Sequence, residues 1–180
     1  MPTYLVGGSL SLVRVVVLIV LTALVVLTLG TATATAAKRN SRASAGMDSV
    51  ENEVVRLVND IRRSHGLSSL RRDANLNDAA EFHSRGMISS GVFSHDSASG
   101  TRCDVRIRRF VRARIVGETI SWLAGTPASQ QAQRTVQLWM NSPAHRQTLL
   151  TAAFKKIGVS RKGGTMFGRR GVAFTADMAG

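Results

Sequence analysis

Apolar residues recur every three or four positions in three stretches of the chain, a spacing that indicates amphipathic helices. The first stretch begins at Asp48 and Glu51, which have the spacing of a capping box, and ends at the pair His65-Gly66. Its apolar stripe consists of Val50, Val54, Leu57, Val58 and Ile61. We therefore predict a first helix from residue 49 to about Ser64.

The other two stretches predict two further helices. One starts at residues 73–75, carries His83 on its apolar face and ends before Gly91. The other spans residues 128–141 and is broken by Pro143, which can occupy the first position of a new helical turn.

Apolar and polar residues alternate in three shorter segments, which predict strands at residues 115–120, 157–160 and 171–178. The basic, glycine-rich segment 161–170 is predicted to join the last two strands as a hairpin-like loop. The helices and strands do not alternate strictly along the chain. This order favours an α+β or three-layer architecture.

The first 37 residues differ in composition from the rest. Arg14 precedes an apolar run at residues 15–29, and small residues with an Ala-x-Ala pattern follow it. These features predict a secretory signal peptide at residues 1–37, with an uncleaved membrane anchor as the alternative. Residues 38–47 are then a polar linker, and residues 48–180 form a single domain.

The charge of the chain is strongly positive, with 24 basic and 11 acidic residues and a net charge of +13. Arg14 is the one charged residue of the leader, so the remainder has a net charge of +12. A field of this sign favours anionic partners, such as an anionic cell-envelope surface. The predicted export argues against nucleic acid. We expect a monomer that contacts a membrane only through an uncleaved leader.

Arginine is concentrated between residues 101 and 114. The six arginines there are Arg102, Arg106, Arg108, Arg109, Arg112 and Arg114, and Asp104 is the single acidic residue. Interleaved apolar residues predict a helix over this segment. We interpret its arginines as a solvated basic face rather than as a dedicated ligand site.

Cys103 is the only cysteine of the sequence, so no disulfide can form within this chain. A free cysteine of an exported protein can be a buried apolar residue, an intermolecular link or a reactive thiol. We favour the first interpretation, because free cysteine is among the most buried residue types.

Six short motifs occur in a fixed order between residues 49 and 178. They are HSRGM (83–87), FSH (93–95), VGETI (116–120), WMNSPAHRQTLL (139–150), IGV (157–159) and FTADM (174–178). This set resembles the CAP superfamily of cysteine-rich secretory and pathogenesis-related proteins, and especially its bacterial SCP-like extracellular members. The resemblance implies an α+β fold, a three-layer α-β-α sandwich with a small central antiparallel sheet and a shallow cleft.

The resemblance also implies the residues of the cleft. His95 and Glu118 match the family positions, and His145 with Arg146 faces the cleft region in the bacterial branch. In this family the cleft sometimes binds a divalent metal, so His95, His145 and Glu118 are the candidate ligands of zinc or another divalent ion. The alternative is a hydrogen-bonded polar cluster without metal. For Arg146 we favour a structural bond to helix carbonyls over contact with an acidic ligand.

Some of the family pattern is missing. The motif FTAD at residues 174–177 has no histidine, residues 141–143 have no acidic residue, and Thr119 replaces the usual asparagine. These differences weaken the prediction of a complete four-residue metal site.

The sequence predicts no catalytic nucleophile. It has no G-x-S-x-G motif, and nothing in it places Cys103 beside His95. We therefore interpret the chain as a secreted binding module for a small apolar, lipid-like or cell-envelope ligand. A secreted peptidase-like hydrolase that uses the same cleft and a cationic envelope-adhesion module are the alternatives.

Overall fold

The computed structural model of the protein describes residues 48–180. The predicted signal peptide, residues 1–37, and the predicted linker, residues 38–47, lie outside the described residues. Among residues 48–180, none of the helices combines the length and the apolar composition that a membrane crossing requires.

The described residues form five helices and four strands. In chain order these are α1 Ser49–Ser64, β1 Arg71–Arg72, α2 Ala74–Ser90, α3 Cys103–Arg108, β2 Val116–Ala124, α4 Ala128–Asn141, α5 Pro143–Leu149, β3 Lys156–Met166 and β4 Arg169–Ala179.

The four strands form one sheet in the order β1-β3-β4-β2. The short β1 runs parallel to β3, and the other neighbours are antiparallel. Alternate residues of β4 point to opposite faces, so Phe174 and Met178 pack with α1 and α4, whereas Ala173 packs with α2. Helices therefore cover both faces of the sheet. This arrangement confirms the predicted α+β class.

Helix α1 begins and ends where the sequence predicts. Asp48 and Glu51 form a reciprocal capping box, with bonds of 2.9 Å and 2.8 Å between side-chain oxygens and backbone N–H groups. Gly66 ends the helical segment with a φ of 70°. Between these ends, Val54, Val55 and Val58 enter the largest core cluster together with the fully buried Trp139.

Arg62, on α1, fixes the segment that follows α5. Its guanidinium is fully buried and donates to the carbonyl oxygens of Leu149 at 2.7 Å and Thr151 at 3.0 Å. These donors satisfy carbonyls at the end of α5 that have no partner within the helix. Because α5 carries His145, this contact also helps to fix the position of His145.

The prediction of a loop over residues 161–170 is wrong. Strands β3 and β4 continue to a two-residue turn at Phe167-Gly168, where both residues have positive φ, 53° and 71°. Such a turn matches the twist of a β-hairpin, and the cross-strand bonds on both sides satisfy the backbone of the segment. The turn lacks the usual Asn-Gly signal, so the sequence pattern did not indicate it.

The helix predicted over residues 101–114 is much shorter, ending at Arg108. Arg102 precedes it and offers no side-chain acceptor to cap its N-terminus. The N–H groups of Arg114 and Ile115 both donate to the carbonyl of Gly180, which draws the chain into extended structure. Strand β2 then runs to Ala124, beyond its predicted end.

Candidate functional site

The candidate site is built around Glu118, near the start of β2. The side chain of Glu118 is fully buried, and its Oε1 lies 2.9 Å from Nδ1 of His95. His95 belongs to the connector that begins after Gly91, the left-handed residue that ends α2. Its side chain is 46% exposed, so the imidazole joins a buried carboxylate to the protein surface.

His145 completes an imidazole pair. Pro143 starts α5, and the helix places His145 so that its Nε2 lies 3.3 Å from Nε2 of His95. Burial lowers the pKa of both histidines, so both rings are neutral at neutral pH. With Nδ1–H of His95 donating to Glu118, Nε2 of His95 is left as an acceptor and receives Nε2–H of His145.

Arg106 is the counter-charge of Glu118. It lies on α3 with no exposed surface, contacts Glu118 Oε2 through Nη2, and donates from Nη1 to the carbonyl of His95 at 2.7 Å. The prediction of a solvated basic face is therefore wrong for Arg106. The physical reason is that the buried carboxylate needs a cation, and α3 packs directly beside β2.

A second carboxyl group, Asp177, lies opposite Glu118 in the register of β2 and β4. It is fully buried, and neither of its oxygens has a hydrogen-bond donor among residues 48–180. Burial and the neighbouring Glu118 raise its pKa well above the ordinary value. Sequence reasoning missed Asp177. Its signals are its place in the motif FTADM and the position of an acidic residue in a mostly apolar strand.

His83 borders the same cluster from α2. It is almost fully buried, its Nε2 bonds to the carbonyl of Ser94 at 2.9 Å, and the same atom lies 3.8 Å from Glu118 Oε2. Burial and the nearby Arg106 lower the pKa of His83 to about 4. His83 is therefore neutral, as expected for the predicted core histidine.

The net charge of Glu118, Asp177 and Arg106 is zero if the two carboxyl groups together hold one proton. Burial raises the pKa of Glu118 to about 7, and Arg106 opposes that shift. One guanidinium can neutralise one carboxylate, so Glu118 is ionised beside Arg106 and Asp177 keeps the proton. The site thus has two neutral imidazoles at the surface, those of His95 and His145. The buried ion pair of Glu118 and Arg106 holds His95 in its orientation.

The proton held by Asp177 predicts that the effect of Asp177→Asn on the free energy of unfolding depends on pH. A raised pKa in the folded state means that the contribution of Asp177 to stability is fully present at low pH and falls as the pH rises above the ordinary value of 3.8. Asparagine cannot lose a proton. We expect the variant to gain stability relative to wild type with rising pH, by up to about 1.4 kcal/mol per pH unit.

Urea denaturation across a pH series measures this difference. Asp78→Asn is the matched control, because Asp78 is exposed and the same substitution there should give a difference that does not change with pH. A flat difference for Asp177→Asn as well would contradict a proton held by Asp177.

Arg146 and Cys103 stand apart from the imidazole pair. Arg146 is exposed on α5, and within residues 48–180 its side chain makes no hydrogen bond to His95, Glu118 or His145. Cys103 is half-buried and packs with the apolar cluster around Ile107. Burial raises the pKa of the Cys103 thiol to about 12, which disfavours the nucleophilic thiolate.

The structure shows how the three predicted zinc ligands are bonded within the protein. Both oxygens of Glu118 are engaged, one by His95 and one by Arg106. Among residues 48–180, no group of three or more histidine, cysteine, aspartate or glutamate side chains has a geometry that could hold a metal ion. In this arrangement Glu118 orients His95. Zinc binding by His95, His145 and Glu118 stays a prediction.

Comparison with known proteins identifies related sequences. Residues 55–176 match the model of the cysteine-rich secretory protein family, CAP. The protein YkwD of Bacillus subtilis is 34% identical over 131 residues, which cover 71% of this chain and 49% of YkwD. This chain therefore spans about half the length of that relative.

Two solved structures share the fold. An extracellular protein containing an SCP domain from Bacillus anthracis has 30% identity and a TM-score of 0.58, over 72% of this chain and 40% of that one. An outer surface protein of Borrelia burgdorferi has 19% identity and a TM-score of 0.60, over 74% of this chain and 95% of that one. The second likeness concerns the fold alone.

Proposed function

This chain belongs to the cysteine-rich secretory protein (CAP) family, and on that premise we propose that it is an exported, monomeric binding protein. Its ligand contacts the imidazole pair of His95 and His145. The proposed export rests on the predicted signal peptide at residues 1–37 and on similarity to an extracellular SCP-domain protein.

The observation that carries this proposal is the 3.3 Å separation of the two Nε2 atoms at a half-exposed position. Glu118 fixes the tautomer of His95, so its Nε2 accepts a hydrogen bond. Nε2–H of His145 donates one. A ligand group that both donates and accepts, such as a hydroxyl, can bond to both rings at once and so replace the hydrogen bond between them.

The surroundings favour a ligand with an apolar part. A groove of about 200 Å³ runs between α2 and the connector that contains His95. Phe82, Met87 and Val92 line it, and Asp96, the residue after His95, lies at its edge. Phe82 and Val92 are 54% and 44% exposed, so the groove offers apolar surface. His95 and His145 do not line it, and Asp96, next to His95 in the sequence, is the link between the groove and the pair. The proposed ligand is thus a small lipid-like alcohol.

A fluorescently labelled long-chain alcohol and its methyl ether test this proposal. The ether accepts but cannot donate, so we expect wild type to bind the alcohol about threefold to tenfold more tightly. In His95→Ala this preference should disappear, because the hydroxyl of the alcohol donates to Nε2 of His95, and the ether cannot make that bond. His65→Ala, at an exposed histidine that ends α1, is the control and should retain the preference.

Equal binding of alcohol and ether by wild type would contradict the role of the imidazole pair. So would the same preference in wild type and His95→Ala. Because the two proposed contacts are hydrogen bonds to imidazoles, we expect a chelator to leave the affinity of wild type unchanged.

Hydrolysis is the second candidate, favoured by the bond between His95 and Glu118. A carboxylate that orients an imidazole is the arrangement of a general base. No serine, threonine or cysteine of residues 48–180 forms a hydrogen bond with His95 Nε2, which faces His145. A hydrolase would therefore have to use His95 to activate water. Absence of turnover by wild type on a broad panel of esters and peptides would remove this candidate.

A further inference from the structure

A second groove, of about 510 Å³, opens beside the candidate site. Its lining includes Arg102, Arg108 and Arg114 together with Cys103. We call it the arginine groove. Neither His95 nor His145 lines it, so a ligand held there does not need the imidazole pair, although Asp96 lines both this groove and the groove beside α2.

The guanidinium groups of this groove are weakly compensated. Asp104 pairs with Arg102 at 3.2 Å and with Arg108 at 3.1 Å, so one carboxylate serves two cations. No acidic side chain of residues 48–180 pairs with Arg114. Exposed ion pairs contribute only about 0–1 kcal/mol, so an incoming anion can replace Asp104 at little cost.

The positive charge continues beyond the lining. Arg109 and Arg112 are exposed on the same segment, and Asp96 and Asp104 are the acidic residues of the lining. Five exposed arginines and only two acidic residues thus lie between residues 96 and 114. Arginine binds phosphate and carboxylate groups through paired N–H donors, which suits repeated anionic groups.

We propose that the arginine groove is a binding site for a linear polyanion that carries repeated phosphate or carboxylate groups. Several guanidinium groups in one recess fit successive groups of a polymer better than one small anion. The lining contains no aromatic side chain on which nucleobases would stack, which argues against single-stranded nucleic acid. A recess also suits a chain better than the flat surface of a bilayer does.

Calorimetric titration of the whole protein with polyphosphate and with poly-L-glutamate of matched length tests the proposal. The groove variant is R102Q/R108Q/R114Q. The control is R134Q/R169Q/R170Q, which removes the same charge from exposed arginines outside the groove. We expect the groove variant to lose at least about tenfold in affinity and the control less than about threefold. The tighter polymer identifies the anionic group as phosphate or carboxylate.

Equal losses in the two variants would overturn the proposal, because they would show that net charge and not the groove determines binding. Failure of wild type to bind either polymer would overturn it too. Tighter binding of duplex DNA than of both polymers would assign the arginines to a different partner.

Cys103 provides a second readout that requires no substitution. It is the only cysteine of the chain and lines the groove, so a bound polymer should shield it. With a small thiol reagent at alkaline pH, saturating polymer is expected to slow labelling of Cys103 about fivefold or more. Unchanged labelling of the complex would place the polymer elsewhere. This measurement decides the matter if the triple groove variant does not fold.

Discussion

Replacing Arg106 with leucine is expected to lower the free energy of unfolding by about 3–5 kcal/mol at neutral to alkaline pH. The variant leaves Glu118 fully buried without its cation and removes the donor to the carbonyl of His95. Arg106 lowers the pKa of Glu118 in the wild type, so its removal raises that pKa further, and protonation of the carboxyl as the pH falls removes the uncompensated charge. The loss should therefore be smaller in mild acid. Chemical denaturation of wild type and variant over a pH series measures both effects.

Arg109→Leu is the matched control for this substitution. Arg109 lies three residues further along the chain and is exposed, so its replacement should change the free energy of unfolding by about 0.5 kcal/mol or less. A similar loss in both variants, or a loss at Arg106 that does not change with pH, would contradict the assigned ion pair.

The helices other than α3 were predictable from the sequence because their signals are local. The capping box at Asp48 and Glu51, the left-handed glycines after α1 and α2, and Pro143 at the start of α5 all act within a few residues. These signals also fixed the stripe that each helix buries. The hairpin connection of β3 and β4 was predicted, but the position of its turn was not, because the turn places Phe167 at a positive φ that a phenylalanine rarely adopts.

The candidate site was predictable only through the motifs. His95 and His145 are 50 residues apart in sequence, and no spacing rule connects them. The family resemblance named them together with Glu118, and the structure brings the three side chains into one hydrogen-bonded chain.

Arg106 lies outside the motifs, Asp177 lies in FTADM without a predicted role, and the roles of both arise from tertiary structure. Arg106 is one of six arginines in its segment, and only the packing of α3 against β2 separates it from its exposed neighbours. Asp177 becomes the partner of Glu118 through the register of β2 and β4. Register depends on the pairing of distant strands, so a single sequence does not reveal which buried charges will meet.

Gly158→Ala is expected to destabilise the protein by about 3 kcal/mol or more, because α2 lies directly on β3 at this residue. A Cβ atom there would lie 2.1 Å from the backbone nitrogen of Asn77, and no rotation of a side chain can relieve that contact. The helix would have to move away from the sheet, and His83 would move with it. Thermal denaturation of the variant measures the loss.

Two other glycines of β3 make this prediction a graded series. A Cβ at Gly164 would approach the side chain of Ile88 at 2.3 Å, which can shift, so alanine there should cost less than at Gly158. At Gly163 the nearest atom is 3.9 Å away, and alanine should be neutral or stabilise by up to about 1 kcal/mol, since glycine in a strand is entropically unfavourable. Equal changes in stability at Gly158 and Gly163 would contradict this prediction, because they would show that the close approach of α2 does not require a glycine at residue 158.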